Sequence, residues 1–588
     1  MNPPIISTAI SIKRIRIWYA LLLLLSAVFV VRLFYLQVIK HDYYQTAALR
    51  GQFKQYEIPP VRGVIEAHNG SGTVPIVLNE TKYTLFADPV YVKDPTDAAD
   101  KIARAIGGNA GDYEKQLRTP ETRYVVLAKK LDQSQSEAIK KLELKGIGTR
   151  DVPQRTYPQG MLAAQMLGFV NDEGQGKYGL EQALDSKLQG TPGQLKAITD
   201  ASGIPLAANR DNIMTEPKAG ERVLLTIDVG MQQQLEDLLK NGLERAKSGS
   251  GSALILEAKT GAVKAMANLP TYNPAEFYKV EDGNIFNNAA VSAPLEVGSV
   301  MKPLTAAAAI DQGVVKKDTT YFDPSVWKID DAKVTNIEED GGAGTKSVAD
   351  ILQLSLNTGA TWLLMQMGGG GEINQRGRQA WYDYMTGHYR FGQLTGIEQG
   401  YESEGSVPSP TDGFGLNIQY ANTSFGQGTT QTPLQMGAAL ASAVNGGTYY
   451  RPHLVEKTVD ASGKETVKQP EALVNNVVKP QVSQDLRSLM EYSFSKNYKV
   501  YGMSSLRPEF SIGGKTGTAE VHRPEGGYYT DRYNGMFLGY VGGAEAQYVI
   551  VVRVNEPKIA GYAGSKAAAP IFVDLANMLM NNFGVTPK

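Results

Sequence analysis

Cysteine is absent from all 588 residues, so disulfides, a thiol nucleophile and any cysteine-built zinc site are excluded. Histidine is scarce: the five residues show no His-x-x-x-His spacing, and neither a metal nor a cofactor is expected. Excess charge of either sign is missing too. A formal net charge of −1 gives no basic surface for a nucleic acid, and none is expected as a partner. No segment repeats at a fixed period, which removes solenoids and propellers. The glycine run Gly368 to Gly371 lacks a following Gly-Lys-Ser or Gly-Lys-Thr, so it is read as a helix end and loop rather than a phosphate cradle.

Long hydrophobic runs are nearly absent as well, with one exception. Ile17 to Ile39 is apolar apart from Arg32 and Gln37. As a helix it would reach about 35 Å, enough for a bilayer core. Lys13, Arg14 and Arg16 precede it, which predicts a cytoplasmic tail and an extracytoplasmic remainder. Trp18, Tyr19, Phe34 and Tyr35 fall where interfacial aromatics belong, and Arg32 can snorkel to the outer headgroups. No small-residue cleavage site follows the apolar core, so an anchor is preferred to a cleaved signal.

Three short strings carry chemistry: Ser299-Val300-Met301-Lys302, Ser355-Leu356-Asn357 and Lys515-Thr516-Gly517-Thr518. They supply a hydroxyl nucleophile, amines and a second hydroxyl to move its proton, and donors for an oxyanion. Ser-x-x-Lys alone is weak, since about two are expected by chance in a chain this long. Three are present, at Ser299, Ser325 and Ser493. Only Ser299 is followed by Lys302-Pro303 and an apolar run, Leu304 to Ile310, which predicts the first turn of a buried helix with Lys302 on the serine's face. Ser325 follows Asp323-Pro324 in a loop-like stretch. Ser493 and Lys496, among Tyr492, Phe494 and Tyr498, are expected at the surface.

Lys259-Thr260-Gly261 duplicates the third string, but it lies between two strand-like runs and is read as a hairpin turn. Lys515 instead follows Ser511-Ile512-Gly513-Gly514, with further strands expected at Met536 to Val541 and Tyr548 to Val554. A glycine at 517 would let an extended substrate lie along the strand edge. Ser355 and Asn357 fall between the helical stretches Ser347 to Leu354 and Thr358 to Met367, in a turn.

With these motifs the chain resembles the penicillin-binding proteins, whose Ser-x-x-Lys, Ser-x-Asn and Lys-Thr-Gly strings occur in this order. The resemblance implies that Ser299 attacks the carbonyl between the two terminal D-alanines of a peptidoglycan stem peptide. It implies Lys302 as base, Ser355 and Lys515 as the proton route to the leaving amine, and Asn357 as a holder of the substrate amide. The backbone N–H groups of Ser299 and Thr518 would form the oxyanion hole, with Thr516 and Thr518 near the substrate carboxylate. Arg62-Gly63-Val64-Ile65, Arg155-Thr156-Tyr157-Pro158-Gln159-Gly160 and Gly176-Lys177-Tyr178-Gly179-Leu180-Glu181 match the non-catalytic module of the class B, membrane-anchored members. Arg62, Arg155 and Glu181 are expected to brace that pedestal. The family's usual Asp-Arg before Asn69-Gly70 is here Ala67-His68. Phe425-Gly426-Gln427-Gly428, Thr432-Pro433-Leu434-Gln435 and Ala567 to Phe572 look like the septal, cell-division type.

The layout expected is α+β: a cytoplasmic tail (1–16), a transmembrane anchor (17–39), a pedestal (40–216) and a transpeptidase domain (217–588) with a mainly antiparallel sheet flanked by helices. Helical periodicity in Met231, Leu235, Leu238, Leu239 and Leu243, followed by a flexible Ser248-Gly249-Ser250-Gly251, opens the last domain. The resemblance places the protein in a bacterial cytoplasmic membrane, inhibited by β-lactams and working beside a polytopic glycan polymerase and other division proteins. A serine β-lactamase and a non-catalytic penicillin sensor or division scaffold are the rival readings. The anchor and pedestal, with no Glu-x-x-Leu-Asn string, weigh against the first.

Overall fold

The computed structural model describes residues 12–44, 53–120, 122–198, 213–336, 342–413, 416–523 and 525–588. Residues 1–11 of the expected tail lie outside them. The chain divides into two units, Met1–Pro60 with Gly190–Lys218, and Val61–Gln189 with Ala219–Lys588.

The first unit contains helix α1 (Ile12–Phe34), which continues through one π-helical turn, Tyr35–Ile39. The stretch Arg14–Ile39 is long and apolar enough to cross a membrane, and none of its apolar window is buried in protein. Strands Phe53–Ile58, Gly193–Ile198 and Ile213–Thr215 form a small antiparallel sheet, with Gly193–Ile198 in the centre.

The second unit is built on two sheets. The first holds β1 (Ile65–Asn69), β2 (Gly72–Ala87), β3 (Val125–Leu131), β4 (Ile147–Thr156) and β5 (Arg222–Asp228), together with Val455–Val459 and Glu465–Val467 from far along the chain. β5 runs parallel to β1 and antiparallel to Val455–Val459. The N-terminal module and the C-terminal half therefore share one hydrogen-bonded sheet. Ala67 is fully buried in it, and His68 Nε2 lies 2.6 Å from Glu456 Oε2, so the Ala67-His68 departure still reaches across the module.

The second sheet is antiparallel and comprises β6 (Ser250–Glu257), β7 (Val263–Leu269), β8 (Ser511–His522), β9 (Tyr528–Gly542) and β10 (Ala546–Asn555) in the order β7-β6-β10-β9-β8. Both ends of the domain supply strands, as the sequence pattern predicts. Lys259-Thr260-Gly261 is the β6–β7 turn, where Lys259 pairs with Glu545. Ser250 and Gly251, expected in a flexible link, already belong to β6 because they pair with Asn555 and Val554.

Helices close both faces. On one, α2 (Val229–Ala246) turns Met231, Leu235, Leu239 and Leu243 inward, beneath an Asp228 cap that accepts from Met231 N–H. The middle of the domain holds α3 (Lys302–Asp311), α4 (Val348–Gln353) and α5 (Asn357–Met367). Then come α6 (Pro433–Val444), α7 (Pro480–Asn497) and α8 (Ala569–Asn582). α8 joins α2 in the core of the first face, and α6 packs on β6 and β10 from the other. α3 is alanine-rich with Pro303 in its first turn, a strong helix former that is buried from Lys302 to Ile310.

Candidate active site

Ser299 sits in a single 3-10 turn, Gly298–Met301, that runs directly into α3. The serine is thus placed just ahead of the α-helix rather than inside its first turn. A 3-10 turn superimposes residues three apart, and Lys302 Nζ lies 2.9 Å from Ser299 Oγ. Lys302 is completely buried. A buried amine needs partners, and besides Ser299 it meets Ser355 O at 2.5 Å, Ser355 Oγ at 3.1 Å and Asn357 Oδ1 at 2.8 Å. The Phe425 ring centroid lies 5.9 Å away.

The Ser355 turn is prepared by its neighbours. α4 starts in a capping box in which Ser347 Oγ accepts from Asp350 N–H and Asp350 accepts from Ser347 N–H. The chain then leaves α4 through Ser355 in a left-handed conformation, φ +60°. Asn357 follows as the first residue of α5 rather than as a loop residue, and its Nδ2 donates to Thr335 O at 3.1 Å.

α7 braces this turn from behind. Ser493 Oγ donates to Leu352 O at 3.2 Å and Asn497 Nδ2 donates to Gln353 O at 3.2 Å. Ser493, expected at the surface, is 1% exposed, because this face of α7 packs against α4. Its Ser-x-x-Lys partner Lys496 instead lies 5.3 Å over the Tyr492 ring. Ser325, with its amide bonded to Asp323, heads a two-strand hairpin, where Lys328 is exposed.

β8 is an edge strand: among the described residues it pairs with β9 alone. Thr516, Thr518 and Glu520 alternate with buried residues along it and line the cleft. Gly564 N–H donates to Thr518 Oγ1 at 3.0 Å and orients that hydroxyl. Lys515 is 2% exposed, with Nζ 3.1 Å from Thr516 O. Behind them Tyr501 is buried, and burial pushes its hydroxyl up to about 12 against the opposing hydrogen bonds with Thr516 and Asn497.

The glycines explain how closely these segments approach. A Cβ on Gly517 would lie 2.4 Å from Val297 O, and one on Gly298 (φ +61°) would lie 2.6 Å from Thr518 O. The space at Gly517, read from sequence as room for substrate, is filled by Val297 and Val300, in the segment that carries Ser299.

The cleft has a volume of about 670 Å³. Ser299, Ser355, Asn357, Thr516 and Thr518 line it, while Lys302, Lys515 and Gly517 lie behind its wall. The far wall comes from Pro557, Ile559 and Gly561 to Ala563, a stretch whose only sequence signal is its small residues after a strand. Among the described residues no cluster of metal ligands occurs. A hydroxyl touching a buried amine, beside a second hydroxyl and an open strand edge, is equipped for acyl transfer through a serine ester.

Away from the cleft, Glu181 is fully buried between two arginines. Its Oε1 accepts from Arg155 Nε at 2.7 Å, and its Oε2 accepts from Arg62 Nε at 2.8 Å. Removing one member of such a group would leave an uncompensated buried charge, so it acts as a structural tie.

The family description "Penicillin binding protein transpeptidase domain" matches residues 251–577, and "Penicillin-binding Protein dimerisation domain" matches residues 57–225. The chain is 28% identical to Stage V sporulation protein D of Bacillus subtilis (strain 168), over 95% of this chain and 84% of the relative. It is 26% identical to Peptidoglycan D,D-transpeptidase FtsI of Escherichia coli (strain K12), over 96% and 91%. The crystal structure of Penicillin Binding Protein 2X from Streptococcus thermophilus superimposes with a TM-score of 0.72 at 24% identity, covering 90% of this chain and 79% of that one.

Proposed function

The chain belongs to the penicillin-binding protein transpeptidase family, and on that premise we propose that it is a serine-type peptidoglycan D,D-transpeptidase that cross-links stem peptides during septal wall synthesis. The observation that carries the chemistry is the 2.9 Å contact between Ser299 Oγ and the buried Lys302 amine. In its neutral form that amine has two N–H bonds and one lone pair. The N–H bonds are shared among Asn357 Oδ1, Ser355 O and Ser355 Oγ, and the lone pair takes the Ser299 hydroxyl proton.

Ser299 Oγ then attacks the carbonyl between the terminal D-alanines. The developing oxyanion lies against the Ser299 and Thr518 backbone N–H groups. As the peptide C–N bond breaks, Ser355 with Lys515 delivers a proton to the departing D-alanine amine, and the acyl group remains on Ser299. An amine of a second stem peptide attacks that ester, forms the cross-link and releases Ser299 with its proton. Thr516 and Thr518 hold the substrate's terminal carboxylate. A β-lactam opens on Ser299 in the same way, and its ring keeps the leaving amine tethered.

The relatives' names support a peptidoglycan substrate and a division or sporulation setting. Residues 17–39 serve as a single membrane anchor, with Lys13, Arg14 and Arg16 before them inside and the catalytic domain outside. Residues 40–216 form the pedestal and 217–588 the transpeptidase domain. A polytopic glycan polymerase and other division proteins are the expected neighbours in the membrane.

Slow release by water fits a transferase. Glu520, a carboxylate on the cleft wall, stands two residues beyond Thr518, about 7 Å further along the strand. The test is labelling of the intact protein with a fluorescent penicillin and mass mapping of the adduct. The adduct is expected on Ser299, lasting many minutes, and Ser299→Ala should not label. Labelling that persists in Ser299→Ala, or rapid β-lactam turnover unaffected by a D-amino acid acceptor, would reject the assignment.

A further inference from the structure

Helix α5, which begins with Asn357, has no cap of its own: Leu356 stands at the N-cap position and offers no side-chain acceptor. The first N–H groups of a helix need acceptors from outside it. Here the acceptor comes from another part of the chain. Asn336 Oδ1 accepts from Thr358 N–H at 3.1 Å, and Asn336 Nδ2 donates to Thr358 Oγ1 at 2.6 Å. Asn336 directly follows the two-strand hairpin Val326–Ile329 and Ala332–Thr335, whose Trp327 Nε1 donates to Thr358 O at 3.0 Å. Thr358 is fully buried, and its N–H, carbonyl and hydroxyl are all bonded to this one segment or to Asp323 just before it.

The hairpin is itself held in place. Ile329 and Val334 belong to the main hydrophobic core, and Asp330 Oδ2 accepts from Ile418 N–H at 2.9 Å. At its base Asp323 is a completely buried carboxylate. Its Oδ2 accepts from Thr358 Oγ1 at 2.7 Å and from Tyr321 Oη at 2.9 Å, and its Oδ1 accepts from Ser325 N–H at 2.8 Å. Three donors satisfy that buried carboxylate and fix the Thr358 hydroxyl.

The consequence falls on Asn357, the residue before Thr358. Its Oδ1 lies 2.8 Å from Lys302 Nζ, and its Nδ2 donates at 3.1 Å to the carbonyl of Thr335, the last strand residue of the hairpin. A carboxamide nitrogen carries two hydrogens. Thr335 takes one, so both ends of the amide are tied, and the second hydrogen remains for a carbonyl in the cleft that Asn357 lines. We propose that Asn336 is a positioning residue for the substrate amide. Through Thr358, and with Thr335 O, it holds the Asn357 carboxamide at the angle that presents this hydrogen to an amide carbonyl of the bound acyl donor. The inference rests on the reading of Asn357 as the holder of the substrate amide.

Acylation rate constants of the full chain in detergent test it, measured with benzylpenicillin and with the bare penicillin nucleus, aminopenicillanic acid, which keeps the rings and carboxylate but lacks the acylamide carbonyl. Asn336→Ala should slow acylation by benzylpenicillin about tenfold and by the bare nucleus no more than about twofold. Rate constants, unlike labelling yields, do not change when part of a sample is unfolded. Trp327→Phe, which stays aromatic and loses one donor, should show the same preference at about threefold. Thr358→Ser, which keeps the hydroxyl, should stay within about twofold of wild type. Once Asn357→Ala has removed the carboxamide, adding Asn336→Ala should change the rate by less than about twofold. Equal slowing of both β-lactams, a loss of about tenfold that persists in the Asn357→Ala background, or wild-type rates in Asn336→Ala would overturn the proposal. Wild-type rates in Asn357→Ala would overturn the reading of Asn357 and the proposal with it, whereas a slow Asn357→Ala beside an unaffected Asn336→Ala would remove the proposal alone.

Discussion

Ser355 carries a side chain at φ +60°, where every residue except glycine is disfavoured by roughly 1 kcal/mol. The strain is tolerated because the turn is fixed on both sides, by Leu356 N–H donating to Ile351 O and by the α7 bonds to Leu352 and Gln353. Its effect is to bring both the carbonyl and the hydroxyl of one residue onto the Lys302 amine. Two substitutions separate backbone from hydroxyl. Ser355→Gly and Ser355→Ala should each slow penicillin acylation by about 100-fold, the usual loss for a missing proton-transfer group. The glycine variant should nevertheless be the more stable of the two by about 1 kcal/mol, measured calorimetrically. A less stable glycine variant would show that the left-handed turn is not under strain.

At the scale of elements, α2 ties the catalytic sheet to the N-terminal module through one carboxylate. Glu236 Oε1 accepts from Ala163 N–H at 2.7 Å and from Gln232 Nε2 at 2.8 Å, while Gln232 also donates to Met266 O on β7. Burial raises the Glu236 pKa above its ordinary 4.5, the two hydrogen bonds oppose the rise, and Asp237 adds to it. The folded chain therefore holds this proton more tightly than the unfolded chain does. The resulting stabilisation is complete below the unfolded pKa and is lost as pH rises through the folded value. Glu236→Gln keeps an acceptor for Ala163 without that loss. Its Tm should gain on wild type as pH rises above the ordinary carboxyl value of 4.5, and a difference that does not change with pH would exclude Glu236 as the cause.

Local spacing made much of this scale legible. Ser299 and Lys302 are three apart in one turn, and the apolar period of α2 marks its buried face, so each can be read from a few neighbouring residues. Ser493 could not be placed that way, because its burial comes from α4, whose Leu352 is 141 positions earlier. Gly517 was legible as a place of close approach, but what approaches is Val297, brought there by tertiary packing.

Across the whole molecule, the sheet that joins Ile65–His68 to Arg222–Asp228 makes the N-terminal module part of the catalytic fold. No short pattern announces a parallel pairing between strands so far apart in the chain, nor the contact of His68 with Glu456, 388 positions away. The match of Arg62, Arg155 and Glu181 to a family pattern pointed to a module, but not to its fusion with the sheet. A fragment of residues 217–588 would uncover β5, where Val223, Leu225 and Ile227 are at most 1% exposed. Re-exposing each side chain costs about 1.5–3 kcal/mol. That fragment should aggregate or melt well below a chain spanning residues 40–588, as judged by light scattering and calorimetry. Equal melting temperatures would show that the shared sheet adds no stability.

The parallel pairing also has a mechanical meaning. The chain enters the second unit twice, at Val61 and at Ala219, and the strands that follow, β1 and β5, run side by side in the same direction. A pull arriving at these two entries loads both strands in the same direction, so the hydrogen bonds between them carry little shear, while the third crossing, Gln189 to Gly190, follows the short helix Asp185–Leu188 rather than a strand. The load passes instead to the antiparallel neighbours on either side, β2 and Val455–Val459, whose ladders must slip along their whole length before either crossing can be drawn out. Tension entering through β1 and β5 would therefore spread over neighbouring strands of one sheet, none of which carries Ser299.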